Sequence, residues 1–202
     1  MFYPNTCSLV KYARTVTIEI HPVTPDRWND LVLLFEQRGP HGGTPVTLGC
    51  WCMYWRRTEA DFTSNWGTSN REALEQLVGG GNEPGLLAYV DGEPVGWCSV
   101  RPREEFVRLE RSRVLKRVDD QAVWSIVCFY VQADRRRQGV ATALLEAAVR
   151  HAAADGAELV EAYGCGPKDS DPFSGHQAMF ETAGFEPVED RGRRTIMRRD
   201  VS

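Results

Sequence analysis

Three groups of residues in this 202-residue chain have types and spacing suited to chemistry. The first is a basic turn, Arg135-Arg-Arg-Gln-Gly139-Val-Ala141, set between an apolar run and an alanine-rich segment. If the run is a strand and the segment a helix, the turn gathers unpaired backbone N–H groups at the positive end of a helix dipole. Such a point binds anions, phosphates above all. The second group is Glu161 and Tyr163, two positions apart and so on one face of an extended chain, where a carboxylate can take a proton and a phenol can give one. The third is Cys50-Trp-Cys52. No second close Cys or His pair follows at zinc-site spacing, so no metal is expected.

The elements that must position these groups follow from periodicity. Residues 123–131 form a continuous apolar, β-branched run of strand length, of the kind buried on both faces. After the turn, Leu144, Ala148 and Ala152 share a helix face with Ala141 and Leu145 beside them, Glu146 and Arg150 form an i,i+4 pair, and Gly156 lets the chain leave. Upstream, residues 15–20 alternate as a half-buried strand, and Thr24-Pro25-Asp26 starts a helix that runs through Trp28, Leu31, Val32 and Phe35 towards Gly39. A capping box at Ser69-Asn-Arg-Glu72 predicts a second helix ending at Gly79, and strands over 86–90 and 95–100 flank the tight turn Asp91-Gly-Glu-Pro94. Downstream come a strand over 158–164, a helix opened by Ser174-Gly-His-Gln177, and a closing strand over 193–198. Residues 101–121 read as a charged insertion with mostly solvated charges, placed to act as a lid or acceptor-binding element. The stretch Cys50-Trp-Cys-Met-Tyr-Trp55 suits either a pocket for a flat or apolar acceptor or a core strand.

Composition narrows the class. A net charge of −4 with 42% hydrophobic and 26% charged residues is that of a globular protein whose main partner is not nucleic acid. No apolar stretch reaches membrane-spanning length and the N-terminus lacks a signal-peptide pattern, so no membrane contact and a cytoplasmic location are expected. Cys98 and Cys128 lie within predicted strands and read as reduced core residues. Residues 1–14 are expected to be an extension and 15–202 a single domain. A homodimer is compatible with this organisation.

The segment Arg136-Arg-Gln-Gly139-Val-Ala141 fits the pattern Q/R-x-x-G-x-G/A, and with its flanking strand and helix it resembles the GCN5-related N-acetyltransferase (GNAT) superfamily. Members commonly read V-x-P-x-x-R-G-x-G-x-G here. Val131, Arg136, Gly139 and Ala141 match, while Ala133 replaces the proline and Arg137 the first loop glycine. The ending Phe180-Glu-Thr-Ala-Gly-Phe185 resembles the superfamily's Y-x-K-x-G-F. The resemblance implies an α/β fold with a mixed, mostly antiparallel central sheet flanked by helices, its fourth and fifth strands splayed. It also implies acetyl-CoA as co-substrate and transfer of the acetyl group to the primary amine of a small molecule.

On that resemblance, Phe129, Tyr130 and Val131 would pair through their main chain with the pantetheine arm. The diphosphate would lie on Arg136, Arg137, Gln138, Gly139, Val140, Ala141 and Thr142. The amine would attack the thioester directly, a fourth-strand N–H holding the oxyanion. Phe180 stands where the family often has a tyrosine that protonates the CoA thiolate, and Phe173 where an asparagine is expected. Tyr163 is the substitute acid and Glu161 the candidate base, with Asp119, Asp120 and His176 as further carriers. Each also reads as structural, Tyr163 as a strand-end ring in the core. Two rival readings stay open: acylation of a protein amine, and a CoA-binding module without turnover.

Overall fold

The computed structural model describes residues 17–37, 49–166 and 173–202. The extension expected over 1–14 lies outside the described residues. Strand β1 (Ile18–Pro22) passes through a 3-10 turn at Pro25–Arg27 into helix α1 (Trp28–Glu36). Proline at the first position supplies a preset φ and lacks only an N–H that would be unpaired there anyway. Trp28, Leu31, Leu34 and Phe35 form the buried stripe of α1. A short helix α2 (Glu59–Ser64), which the sequence reading misses, is capped by Thr58, whose hydroxyl accepts the Asp61 N–H at 3.3 Å. Helix α3 (Thr68–Gly79) starts one residue before the expected capping box, with Gly67 at its N-cap position and no side-chain cap. Ser69 is already inside the first turn, so the box does not form.

Strands β2 (Gly85–Val90) and β3 (Glu93–Pro102) make the expected hairpin. Its turn residues Asp91 and Gly92 both have positive φ, 52° and 82°, the twist that matches right-handed strands. The insertion contains a 3-10 turn at Arg103–Glu105 and helix α4 (Val107–Glu110). Then come β4 (Trp124–Val131), α5 (Val140–Ala154), β5 (Leu159–Cys165), α6 (Gln177–Thr182), β6 (Glu186–Asp190) and β7 (Arg194–Asp200). Strand β6 is exposed over most of its length and so carries no alternation to read. The sheet runs β1-β2-β3-β4-β5-β7-β6, and every neighbouring pair is antiparallel except β4–β5.

Both faces of the sheet are covered. Leu86, Ala88, Cys98, Ile126 and Phe129 pack against Val140, Leu144 and Ala148 of α5. On the opposite face Leu87, Tyr89, Trp97 and Tyr130 meet α1, α3 and the segment Trp51, Cys52 and Met53. That segment is a series of turns instead of a strand, and its large residues are core: the Trp51 ring lies 6.2 Å from Trp28 and 5.7 Å from Phe35. Glu146 bridges to Arg199 of β7 at 3.1 Å in place of the expected pairing with Arg150. A third cluster joins Phe106, Leu109 and Leu115 of the insertion to Val127, Tyr163 and Ile196. The insertion is therefore built into the core and is not a loose lid.

Candidate active site

Strands β4 and β5 pair over only three positions, Trp124 with Val160, Ser125 with Glu161 and Ile126 with Ala162. Beyond Ile126 the two strands part, while β4 stays paired to β3 as far as Val131. The β5-facing edge of Phe129, Tyr130 and Val131 is thus left without a strand. At its end the chain turns through Ala133–Arg135, extends at Arg136, and passes through left-handed conformations at Arg137 (φ 60°) and Gly139 (φ 87°) before entering α5. The first intrahelical bond of α5 is Ala143 N–H to the Gly139 carbonyl at 2.9 Å. The N–H groups of Val140, Ala141 and Thr142 therefore lie outside the helix ladder, at the positive end of a 15-residue helix. Arg136, Arg137, Gln138 and Gly139 are exposed beside them. Arg136 Nε donates to the Val131 carbonyl at 3.1 Å and Gln138 to the Asp134 carbonyl at 2.8 Å, which fixes the turn from within.

The gap between the strands is closed in this structure. The Phe129 N–H donates to the Phe173 carbonyl at 2.8 Å, and the Cys165 N–H to the Gly175 carbonyl at 3.0 Å. Phe173, Ser174 and Gly175 thus bridge the two strands. Behind them a cleft lined by Trp55, Ile126, Val127, Phe129, Tyr163 and Phe180 keeps a volume of about 10 Å³, room for one water molecule at most. Phe180 is fully buried, 6.2 Å from the Phe129 ring and 5.5 Å from that of Phe185. A larger open hollow of about 650 Å³, lined by Met53, Arg56, Gln76, Leu77 and Glu105, touches none of the loop residues.

Tyr163 lines this cleft, and Glu161 lies two residues before it, in the short ladder where the strands still touch. Both are buried, and they share a closed polar network with a residue the sequence reading misses, Arg103. Arg103 Nη1 donates to Glu161 Oε1 and to the Tyr163 hydroxyl, each at 2.7 Å. Its Nε reaches Glu110 at 2.7 Å, and Nη2 reaches the Leu115 and Leu109 carbonyls at 2.5 and 3.4 Å. Every N–H of this guanidinium has an acceptor. Arg198 Nε holds the other Glu161 oxygen at 2.9 Å while its Nη atoms chelate Asp119 at 2.6 and 3.1 Å. The Tyr163 hydroxyl donates to Glu161 at 2.7 Å and lies 2.9 Å from Ser125 Oγ. Burial first, then the Glu161 charge, pushes the phenol well above its usual range. The ring of Tyr163 lines the cleft, but its hydroxyl is engaged in the network. Of the other candidate carriers, Asp119 is spent on Arg198, and His176 opens α6 with Nδ1 3.6 Å from Cys165 Sγ.

The sequence profile of the "Acetyltransferase (GNAT) family" matches residues 51–185, more than half of the chain. The chain belongs to the GNAT acetyltransferase family. No curated protein matches its sequence. Among solved structures it is similar to the acetyltransferase of GNAT family from Streptococcus pneumoniae, at 13% identity over 92% of this chain and 100% of that one, with a TM-score of 0.56. It is also similar to the GNAT acetyltransferase from Listeria monocytogenes, at 10% identity, 91% and 95% coverage and a TM-score of 0.54. PaiA N-acetyltransferase from Thermoplasma acidophilum, solved in complex with coenzyme A, aligns over 91% of this chain and 99% of its own at 14% identity and a TM-score of 0.52. At these identities the likeness is one of fold. The splayed parallel pair inside a mostly antiparallel sheet is that GNAT fold.

One departure from the common GNAT loop has a measurable cost. Arg137 holds a left-handed backbone without being glycine, which costs about 1–2 kcal/mol. Arg137→Gly is expected to stabilise the protein by about 0.5–1 kcal/mol, since some of the relief is returned as unfolded-chain entropy. The same change removes a cation from the loop, so affinity for any anion held there should fall while the unfolding midpoint rises. Differential scanning calorimetry and a CoA titration on one preparation would separate the two effects.

Proposed function

We propose that this GNAT protein transfers an acetyl group from acetyl-CoA to the primary amine of a small molecule. The observation that carries the proposal is the junction of β4 and α5: a strand edge that β5 leaves beyond Ile126 leads directly to a helix N-terminus crowded with arginines. A pantetheine arm needs amide partners along an extended chain, and a diphosphate needs N–H donors and cations at one point. Phe129, Tyr130 and Val131 supply the first, and the segment Arg136 to Thr142 the second. That the Thermoplasma acidophilum relative was solved with coenzyme A supports CoA as the ligand. The bound acetyl-CoA supplies the activated acyl group; the chain's part is to orient it, keep water out and hold charge at its carbonyl oxygen.

The Phe129 N–H is the donor we assign to that oxygen, and the Phe173 carbonyl now occupies it. Acetyl-CoA binding then exchanges one carbonyl for another on the same N–H. Gly175 makes the present arrangement sterically feasible, because an added Cβ would lie 2.5 Å from Phe180 Cζ and 2.6 Å from Met179 Cε. Gly175→Ala is expected to unseat the segment by about 1–2 kcal/mol, so the Phe129 amide should exchange with solvent roughly tenfold faster and acetyl-CoA should bind severalfold more tightly. Faster exchange with weaker binding would mean that the segment supports the ligand site instead of competing for it.

Glu161 and Tyr163 enter the mechanism as the rigid floor of the cleft, because both are committed to Arg103. With Phe180 unable to donate a proton, the thiolate leaves to solvent and the amine must arrive neutral, so turnover should rise with pH through the pKa of the acceptor. A small acceptor is favoured by Trp55, which reaches from the turn segment to the cleft lining and narrows the approach. The test is thermal unfolding with and without acetyl-CoA, followed by free-thiol release across a panel of amines and peptides. Stabilisation with thiol release on small amines supports the proposal, and release on peptides alone reassigns the acceptor. Stabilisation without release would identify a CoA-binding module, and no stabilisation at saturating ligand would overturn the site.

A further inference from the structure

Of the arginines in the insertion that are not exposed, all but Arg108 hold carboxylates. Arg101 holds Glu105, Arg103 holds Glu110 and Glu161, and Arg117 holds Glu104 and Glu110, between 2.6 and 3.1 Å. Arg108 is half-buried among the same acids, but they are taken by its neighbours. Its Nε and Nη2 are buried and have no acceptor among the described residues. A buried donor left unpaired is costly. These two lie on one edge of the guanidinium, the edge that grips both oxygens of a carboxylate side-on.

What holds Arg108 is aromatic. Its guanidinium carbon lies 4.0 Å from the centre of the Tyr54 ring and 5.5 Å from that of Phe62. Stacking uses the face of the group and leaves its edge unspent, and the fork can turn outward without breaking an ion pair. The rings form a continuous wall. Trp66 and Phe62 are 5.3 Å apart, Phe62 and Tyr54 5.5 Å, and Tyr54 and Trp55 4.9 Å, each edge to face. One end of the wall is at the surface, where Trp66 and Tyr54 are 53% and 40% exposed. The other end is Trp55, which lines the acyl cleft and whose carbonyl accepts the Arg108 N–H at 3.0 Å. The cation is thus tied through its backbone to the residue that walls the cleft.

We propose that Arg108 reads the acceptor: the amine acetylated by this protein carries a carboxylate, which Arg108 grips side-on while the amine lies past Trp55 at the thioester. The proposal rests on the acetyl-transfer reading above and names the class of its acceptor. A lone guanidinium balances one negative charge, which suits a carboxylate better than a dianionic phosphate. Arg108 stacks on Tyr54, one ring out from Trp55, so carboxylate and amine are separated by a spacer of several bonds, and the aromatic wall covers that spacer. The transfer step is unchanged: the neutral amine bonds to the acetyl carbon, the C–S bond breaks, and the proton shed by nitrogen passes through solvent to the CoA thiolate.

The test measures free-thiol release from acetyl-CoA with γ-aminobutyrate and ε-aminocaproate, each against its own carboxamide, which keeps the length and the amine and removes the charge. The carboxylates are expected to exceed the carboxamides by about 30-fold in kcat/KM, mainly through KM. That ratio should shrink in high salt and fall towards one in Arg108→Gln. Arg108→Lys, a cation without the fork, should keep an intermediate ratio. Equal use of carboxylate and carboxamide by the wild-type protein, or a preference that survives Arg108→Gln, would overturn the assignment while leaving acetyl transfer in place. If no amine releases thiol, the transfer reading falls. A tryptophan-fluorescence titration with ε-aminocaproate and its carboxamide then decides Arg108, and equal affinity for the two overturns its role. The wild-type ratios do not depend on either variant folding.

Discussion

Glu161→Gln should lower the stability of this GNAT domain by about 3–5 kcal/mol, read as a shift of the urea midpoint. Removing one partner from a buried ionic group leaves the others uncompensated. Here the loss is shared by the Arg103 and Arg198 guanidiniums, which hold the two Glu161 oxygens at 2.7 and 2.9 Å. Glutamine keeps the shape but offers one oxygen where the carboxylate offered two, and turns an N–H₂ towards a cation. A general base would behave differently: the same change would leave the midpoint in place and reduce turnover alone. The experiment therefore separates the floor of the cleft from its chemistry. Stability unchanged within about 0.5 kcal/mol would restore Glu161 as a catalytic candidate.

Gly139→Val is expected to weaken acetyl-CoA binding by roughly 100-fold, or about 2.7 kcal/mol, and stability by a smaller amount, about 1–2 kcal/mol. The stability cost comes from the backbone, since φ is 87° and a β-branched residue does not tolerate it. The binding cost comes from the space above it. A Cβ at 139 would meet only the tip of Ile18 at 4.0 Å, so the volume it would enter is free for the diphosphate we place there. Isothermal titration on protein shown to be folded by circular dichroism gives the first number, and chemical unfolding the second. Equal affinity with reduced stability would mean that the diphosphate binds elsewhere.

The parts of the fold legible in the sequence are those whose burial is periodic. β4 is apolar at every position but Ser125 because α5 and the turn segment cover both faces, and α5 shows its stripe because only one side touches the sheet. The glycine at 139 announces the loop because its backbone needs what other residues do poorly. The parts that stayed hidden are those where a distant partner decides. Arg103 sits among Glu104, Glu105 and Arg108, so it reads as one more solvated charge, although it is almost wholly buried. A signal for it does exist on the other strand: Glu161 interrupts an apolar stretch of β5, and a carboxylate buried there requires a cation from somewhere. Sequence order does not say that the cation lies 58 positions away. Likewise the bridging role of Phe173 belongs to its main-chain carbonyl, to which its side-chain identity gives no clue.

The arrangement of the sheet makes the molecule a clothes-peg. One leaf is β1 to β4, the other β5, β7 and β6, and they share only the short β4–β5 ladder at one end. The polar network is the spring of that peg: Arg103, Asp119 and Ser125 belong to the first leaf, while Glu161, Tyr163 and Arg198 belong to the second. Because the spring clamps the closed end, the three-residue ladder keeps its register there although the strands diverge beyond Ile126. Beyond that hinge the two leaves are bridged by main chain, through the Phe129 and Cys165 N–H groups on the Phe173 and Gly175 carbonyls, so the mouth is sealed by bonds that no side-chain identity dictates.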